Sequence, residues 1–150
     1  MEFEFSKDRI VFERELSELD KLVIKFTKIL DDVKIDYVII SGYIAILFGR
    51  SRQTEDVDLF IEEMSFEKFA QFWKILDAEG FECLNTSSIE EAFNDYLKEK
   101  LAVRFAVKGT FMPNFELKFP KTKYNNYSLK NKVEVMLNNE KISIIIEIGN

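Results

Sequence analysis

The chain has 150 residues, 47% of them hydrophobic and 15 of them Phe, which is enough for one domain with a buried core. Its 27 acidic residues outnumber 21 Lys and Arg for a net charge of −6, and the two signs are interspersed, so no strong nucleic-acid signature is present. The absence of histidine excludes Ser-His and Cys-His nucleophiles and His-ligated metals, and a single cysteine, Cys83, excludes an internal disulfide and a cysteine-based zinc cluster.

The opening "MEFEFSKDRI" has neither an apolar h-region nor a small-residue cleavage site, and the longest apolar run, "ISIII", is strand-sized. A soluble, cytoplasmic chain with no membrane partner is therefore expected. From about Asp8 to Val33, Phe12, Leu16, Leu19, Leu22, Val23, Phe26, Ile29 and Leu30 recur at helical spacing. That spacing predicts one or two amphipathic helices, an N-terminal helical segment over 1–34 ahead of a mixed-sheet core over 35–150.

"DYVIIS" reads as a short strand, "YIAILFGR" after Gly42 as a helix, "SRQTE" as a polar connection and "DVDLFIEE" as the next strand. Ser65 is placed to N-cap a helix running to about Asp77, with Phe66, Phe69, Phe72, Trp73 and Leu76 inward and Gly80 as the stop. "FECLN" predicts a short strand, "SSIEEAFNDYLKE" a short helix or decorated loop, and "KLAVRFAVKG" a strand. In "PNFELKFP" Phe115, Leu117 and Phe119 fall on one side and Glu116 and Lys118 on the other. "KTKYNNYSLK" reads as a loop, its lysines, with Lys118, Lys130 and Lys132, as a solvated basic run. "KVEVML" and "KISIIIEI" form a hairpin through "NNEK". "KISIIIEIGN" runs to the last residue without a cap, the pattern of a trimmed or minimal form. The order of elements predicts an α/β (α+β) fold, a mixed sheet flanked by helices in a single domain over 1–150.

Asp56 and Asp58 lie two apart on a strand and so share a face, while Val57 and Leu59 point the other way. Two carboxylates side by side repel each other, and a hard divalent cation relieves that repulsion: Mg²⁺ binds through one or two carboxylates plus substrate phosphates. Taken alone, an Asp-x-Asp pair is more often a pair of surface carboxylates at a strand end. Upstream, Gly42 stands where a strand gives way to a helix, a corner whose backbone N–H groups can hold an anion. Ser41 adds a hydroxyl there, and Arg50 and Arg52 can meet phosphate oxygens bidentately.

The stretch "SGYIAILFGRSRQTEDVDLF" resembles the nucleotidyltransferase superfamily with the DNA-polymerase-β-like fold. It is most similar to the small branch related to abortive-infection and toxin–antitoxin nucleotidyltransferases. The shared features are a Ser-Gly corner at Ser41 and Gly42, Ala45 in the following helix, and Arg52, Thr54, Asp56 and Asp58 as R-x-T-x-D-h-D. The match covers about Asp36 to Glu62. Tyr43 departs from the usual second small residue of the corner, and Gly49–Ser51 lies too close to Asp56 to serve as that corner.

The resemblance implies transfer of a nucleoside monophosphate from an NTP to an acceptor, with Mg²⁺ or Mn²⁺ as cofactor. Asp56, Asp58 and a third carboxylate on a neighbouring strand would be the catalytic and metal-holding residues. Glu116 is chosen as that third group, with Glu134 and Glu147 as rivals. Ser41, Gly42, Arg52 and Lys118 would bind the phosphates. Nothing in the resemblance identifies the acceptor, whether protein, RNA or small molecule, or the oligomeric state. Two other readings are carried: a nucleotidyltransferase-like binding or antitoxin module with weak catalysis, and, ranked lower, a D-x-D glycosyltransferase, which leaves the Gly42 corner without a role.

Overall fold

The structure, a computed structural model, describes residues 2–5, 9–13, 15–40 and 56–144. Nine strands among them form one mixed sheet: β1 (Glu2–Phe5), β2 (Arg9–Glu13), β3 (Tyr37–Ile40), β4 (Asp56–Ile61), β5 (Phe81–Cys83), β6 (Val103–Val107), β7 (Asn114–Lys118), β8 (Val133–Leu137) and β9 (Glu140–Ile144). Their spatial order is β1-β2-β8-β9-β3-β4-β7-β6-β5. The central pair β4 and β7 run parallel, and antiparallel neighbours β3 and β6 flank them. The helices are α1 (Glu18–Asp32), α2 (Phe66–Ala78), a short α3 (Ile89–Glu91) that continues into a π-helical turn over Ala92–Leu97, and α4 (Lys123–Lys130). This is the mixed α/β architecture expected from the sequence. No described helix is long and apolar enough to cross a membrane.

Helix α1 begins at a capping box in which Ser17 Oγ accepts from Asp20 N–H and the Asp20 carboxylate accepts from Ser17 N–H, both at 3.0 Å. Its apolar stripe, Val23, Phe26, Ile29 and Leu30, is buried against one face of the sheet. The helical reading of the N-terminal segment is corrected upstream of this cap. Arg9–Glu13 is a strand, antiparallel to β1 and parallel to β8. The β-rich run "RIVFE" finds partners on both sides, and sheet pairing overrides the apolar spacing that extends the helical pattern back towards Asp8. "KTKYNNYSLK" is likewise a helix rather than a loop. Thr122 and Asn125 form a second capping box, and buried Leu129 packs with Val38 and Phe60 on the opposite sheet face.

The main core lies under α1 and α2. Phe26 stacks on Phe115 at 4.1 Å and 2°, and meets Phe72 and Phe81 edge-on at 5.9 and 5.5 Å. Ser65 caps α2 as its sequence suggests, and Gly80, at φ +90, follows where only glycine turns without strain. Asn138 and Asn139, at φ +49 and +69, make the two-residue turn joining β8 and β9.

Truncating Phe26 removes the ring that bridges α1, α2 and β7. Phe26→Ala is expected to destabilise the chain by about 3–5 kcal/mol in urea or guanidinium unfolding. Tyr37 supplies a second check. Its buried hydroxyl accepts from Ser143 N–H at 3.1 Å, tying β3 to β9, and burial, then the charge of Asp31, pushes its pKa up to about 12. The folded chain keeps this proton after the unfolded chain has lost it near the ordinary value of 10.0. Its contribution is present below that value and lost as pH rises through about 12. Tyr37→Phe is expected to cost about 1–3 kcal/mol at pH 7, by leaving a buried N–H without its acceptor, and to flatten this part of the alkaline loss in urea melts.

Candidate active site

One pairing positions the candidate site. In the parallel β4–β7 ladder Asp56 lies opposite Asn114, Asp58 opposite Glu116 and Phe60 opposite Lys118. Val57, Leu59, Phe115 and Leu117 are buried in the helix-covered core. Alternation therefore sends Asp56, Asp58, Asn114, Glu116 and Lys118 to the other face. Asp56 is exposed at the start of β4, and Asp58 and Glu116 are half-buried.

The next strand adds a residue that motif reading missed. Arg104 on β6 sits opposite Glu116, and its guanidinium donates to Glu116 Oε1 at 3.3 Å. The available signal was the alternation of "VRF", in which Val103 and Phe105 are buried and Arg104 faces out; no motif marks it. Glu116 thus stands between a carboxylate and a guanidinium. Burial first, then a hydrogen bond with Asp58 and the charge of Asp58, raise its pKa above the ordinary 4.5, against the opposing pull of Arg104 and Lys118.

The structure thus brings Asp58, Glu116 and Lys118 together, with Asp56 one step along the same face. Of the rival carboxylates, Glu134 is on β8, separated from β4 by β9 and β3, and it pairs with Arg9 at 3.5 Å. Glu147 lies outside the described residues, as do Ser41, Gly42 and Arg52. Among the described residues no three His, Cys, Asp or Glu side chains form a group ready to hold a metal ion. The Asp58–Glu116 pair nevertheless offers only hard oxygen donors, and mutual repulsion already raises one pKa. That donor set suits the mode in which Mg²⁺ takes two carboxylates and completes its shell with substrate oxygens and water.

Comparison with solved structures gives a fold likeness. An antigenic nucleotidyltransferase-like protein from Paracoccidioides brasiliensis superposes with a TM-score of 0.52 at 20% identity, over 85% of this chain and 60% of the neighbour. This chain therefore corresponds to less than two thirds of that protein's length. No family model matches the sequence, and a search of curated proteins finds no match. The fold is nucleotidyltransferase-like.

The raised Glu116 pKa has a testable sign. The unfolded chain releases this proton near 4.5 and the folded chain only at higher pH, so the folded state binds more protons in between. This contribution is present below 4.5 and lost as pH rises through the raised folded value. In chelator-treated protein, the melting temperature of Glu116→Gln relative to wild type is expected to climb from pH 4 to pH 7. A difference that stays flat across that range would remove the proposed Asp58–Glu116 repulsion.

Proposed function

We propose that this protein is a metal-dependent nucleotidyltransferase, moving a nucleoside monophosphate from an NTP to a hydroxyl acceptor. The observation that carries this reading is the registered contact of Asp58 with Glu116 on adjacent parallel strands, in a nucleotidyltransferase-like fold. Asp58 and Glu116 would hold Mg²⁺ or Mn²⁺, with Asp56 beside them, and the bound cation would supply charge stabilisation at the polyphosphate.

The chain's own residues account for the rest. A carboxylate with a raised pKa is a better proton acceptor, so Glu116 takes the proton of the attacking hydroxyl. The acceptor oxygen bonds to the α-phosphorus, the α–β bridging P–O bond breaks, and pyrophosphate leaves with that electron pair. Arg104 orients Glu116, and Lys118 offsets charge on the phosphates. Ser41, Gly42 and Arg52 complete the phosphate-binding set on the strength of the sequence resemblance. The same resemblance points to the toxin–antitoxin branch and to a protein, RNA or small-molecule acceptor.

A second reading has its own observation. Arg104 already engages Glu116, and no described trio of carboxylates is gathered for a metal. That arrangement favours a nucleotidyltransferase-like module that binds a nucleotide or partner with little turnover.

Incubation with Mg²⁺ and each α-labelled NTP, with the protein itself, bulk RNA or small hydroxyl compounds as acceptors, separates the two. Labelled product and pyrophosphate are expected from wild type, and Asp58→Asn is expected to lower the rate at least about 100-fold. Nucleotide binding without label or pyrophosphate under every condition would instead establish the binding module.

A further inference from the structure

Asn114 is the one residue of the carboxylate face that the proposed chemistry leaves unused. It lies opposite Asp56 at the start of β7, with a relative exposure of 7%. Its Nδ2 donates to the Phe111 carbonyl at 3.2 Å, whereas its Oδ1 is buried without a hydrogen-bond partner. The Phe111 contact sets the amide's orientation, because a flip would press two carbonyl oxygens together. A buried acceptor lacking a donor typically costs about 1–3 kcal/mol, and such groups call for a functional or structural reason.

The segment leading into Asn114 has a second unusual feature. Phe111 is 77% exposed and Met112 is 55% exposed, in the turn between β6 and β7 that passes through Gly109 at φ +84. The most exposed large apolar side chain of the described residues therefore belongs to the residue whose carbonyl holds Asn114. An aromatic ring left in water beside a polar site is suited to stacking on a planar ligand.

Spacing selects the part of the ligand. Asn114 is two residues from Glu116 along β7, about 6–7 Å of strand. An acceptor hydroxyl must reach the phosphorus beside Glu116, which Asn114 does not adjoin. The sugar of a nucleotide whose phosphates lie at Asp58 and Glu116 falls one step away, where a neutral acceptor meets a neutral hydroxyl donor.

We infer that the β6–β7 turn is the nucleoside-recognition element, with Asn114 Oδ1 accepting from a ribose hydroxyl and the Phe111 ring stacking on the base. This inference rests on the nucleotidyltransferase reading above. Asn114 Oδ1 is enclosed in the ligand-free chain, so the amide rotates away from the Phe111 carbonyl to meet the sugar, or the exposed Phe111–Met112 segment shifts to admit it. One hydrogen bond is exchanged for another in the first case. Discrimination arises because a deoxy sugar leaves the amide oxygen without a donor.

Calorimetric titrations of the full chain in Mg²⁺ with ATP, 2′-deoxy-ATP, 3′-deoxy-ATP and inorganic tripolyphosphate test this. Wild type is expected to bind ATP about tenfold more tightly than one of the two deoxy analogues, which identifies the hydroxyl. Asn114→Ala is expected to weaken ATP about tenfold and erase that preference, and Phe111→Ala to weaken all three nucleotides, with tripolyphosphate unchanged in both variants. Equal wild-type affinity for ATP and both deoxy analogues overturns the role of Asn114 even if the Ala variant does not fold. A parallel loss of tripolyphosphate affinity overturns it as well, by moving Asn114 to the phosphates or cation. Binding of tripolyphosphate but no nucleotide overturns the nucleoside element alone, whereas binding of neither overturns the nucleotidyltransferase reading with it.

Discussion

The parallel register of β4 on β7 is the constraint on which the candidate site depends. Val57 and Leu59 must stay in the core beside Phe115 and Leu117, so Asp58 and Glu116 must share the opposite face. Side chains alternate with a period of two, and a one-residue slip of either strand would drive its polar groups into the core. The same burial that stabilises the sheet therefore holds two like charges together, and the cost appears as the raised pKa of Glu116.

The surroundings keep that pair from relaxing apart. Behind it, Phe26, Phe72, Phe81 and Phe115 interlock through stacked and edge-on contacts, which leaves β7 little freedom to shift. In front, Arg104 and Lys118 supply positive charge without removing the carboxylates from one another. A site built this way is preorganised for a ligand that is cationic where it meets the carboxylates and anionic where it meets the bases. A metal-bound polyphosphate has that charge pattern.

Strand alternation and capping residues carried much of the local structure in plain view. "NFELKF" displays the buried positions of β7 and the outward Glu116, and Ser65 and Gly80 mark the ends of α2. Other elements were illegible for physical reasons. The sequence around Arg9–Glu13 suits either a helix or a strand, and the pairing with β8, more than a hundred residues on, decides between them. In "KTKYNNYSLK" the reciprocal Thr122–Asn125 cap starts a helix whose polar composition suggests a loop. Arg104 carries no motif and becomes a site residue only because β6 pairs antiparallel with β7.

By itself, the sequence determined the chemistry available to this protein. Without histidine and with one cysteine, any reaction must use carboxylates, lysines, arginines, hydroxyls or backbone groups, and the D-x-D spacing already required Asp56 and Asp58 to face one way. Only the tertiary structure decided which carboxylate answers them. Glu116 and Glu134 look alike as outward strand residues, and the strand order puts β7 against β4 while β8 stands beyond β9 and β3. Alternation is a local property of the chain, whereas adjacency in a sheet depends on which strands bury their apolar faces together.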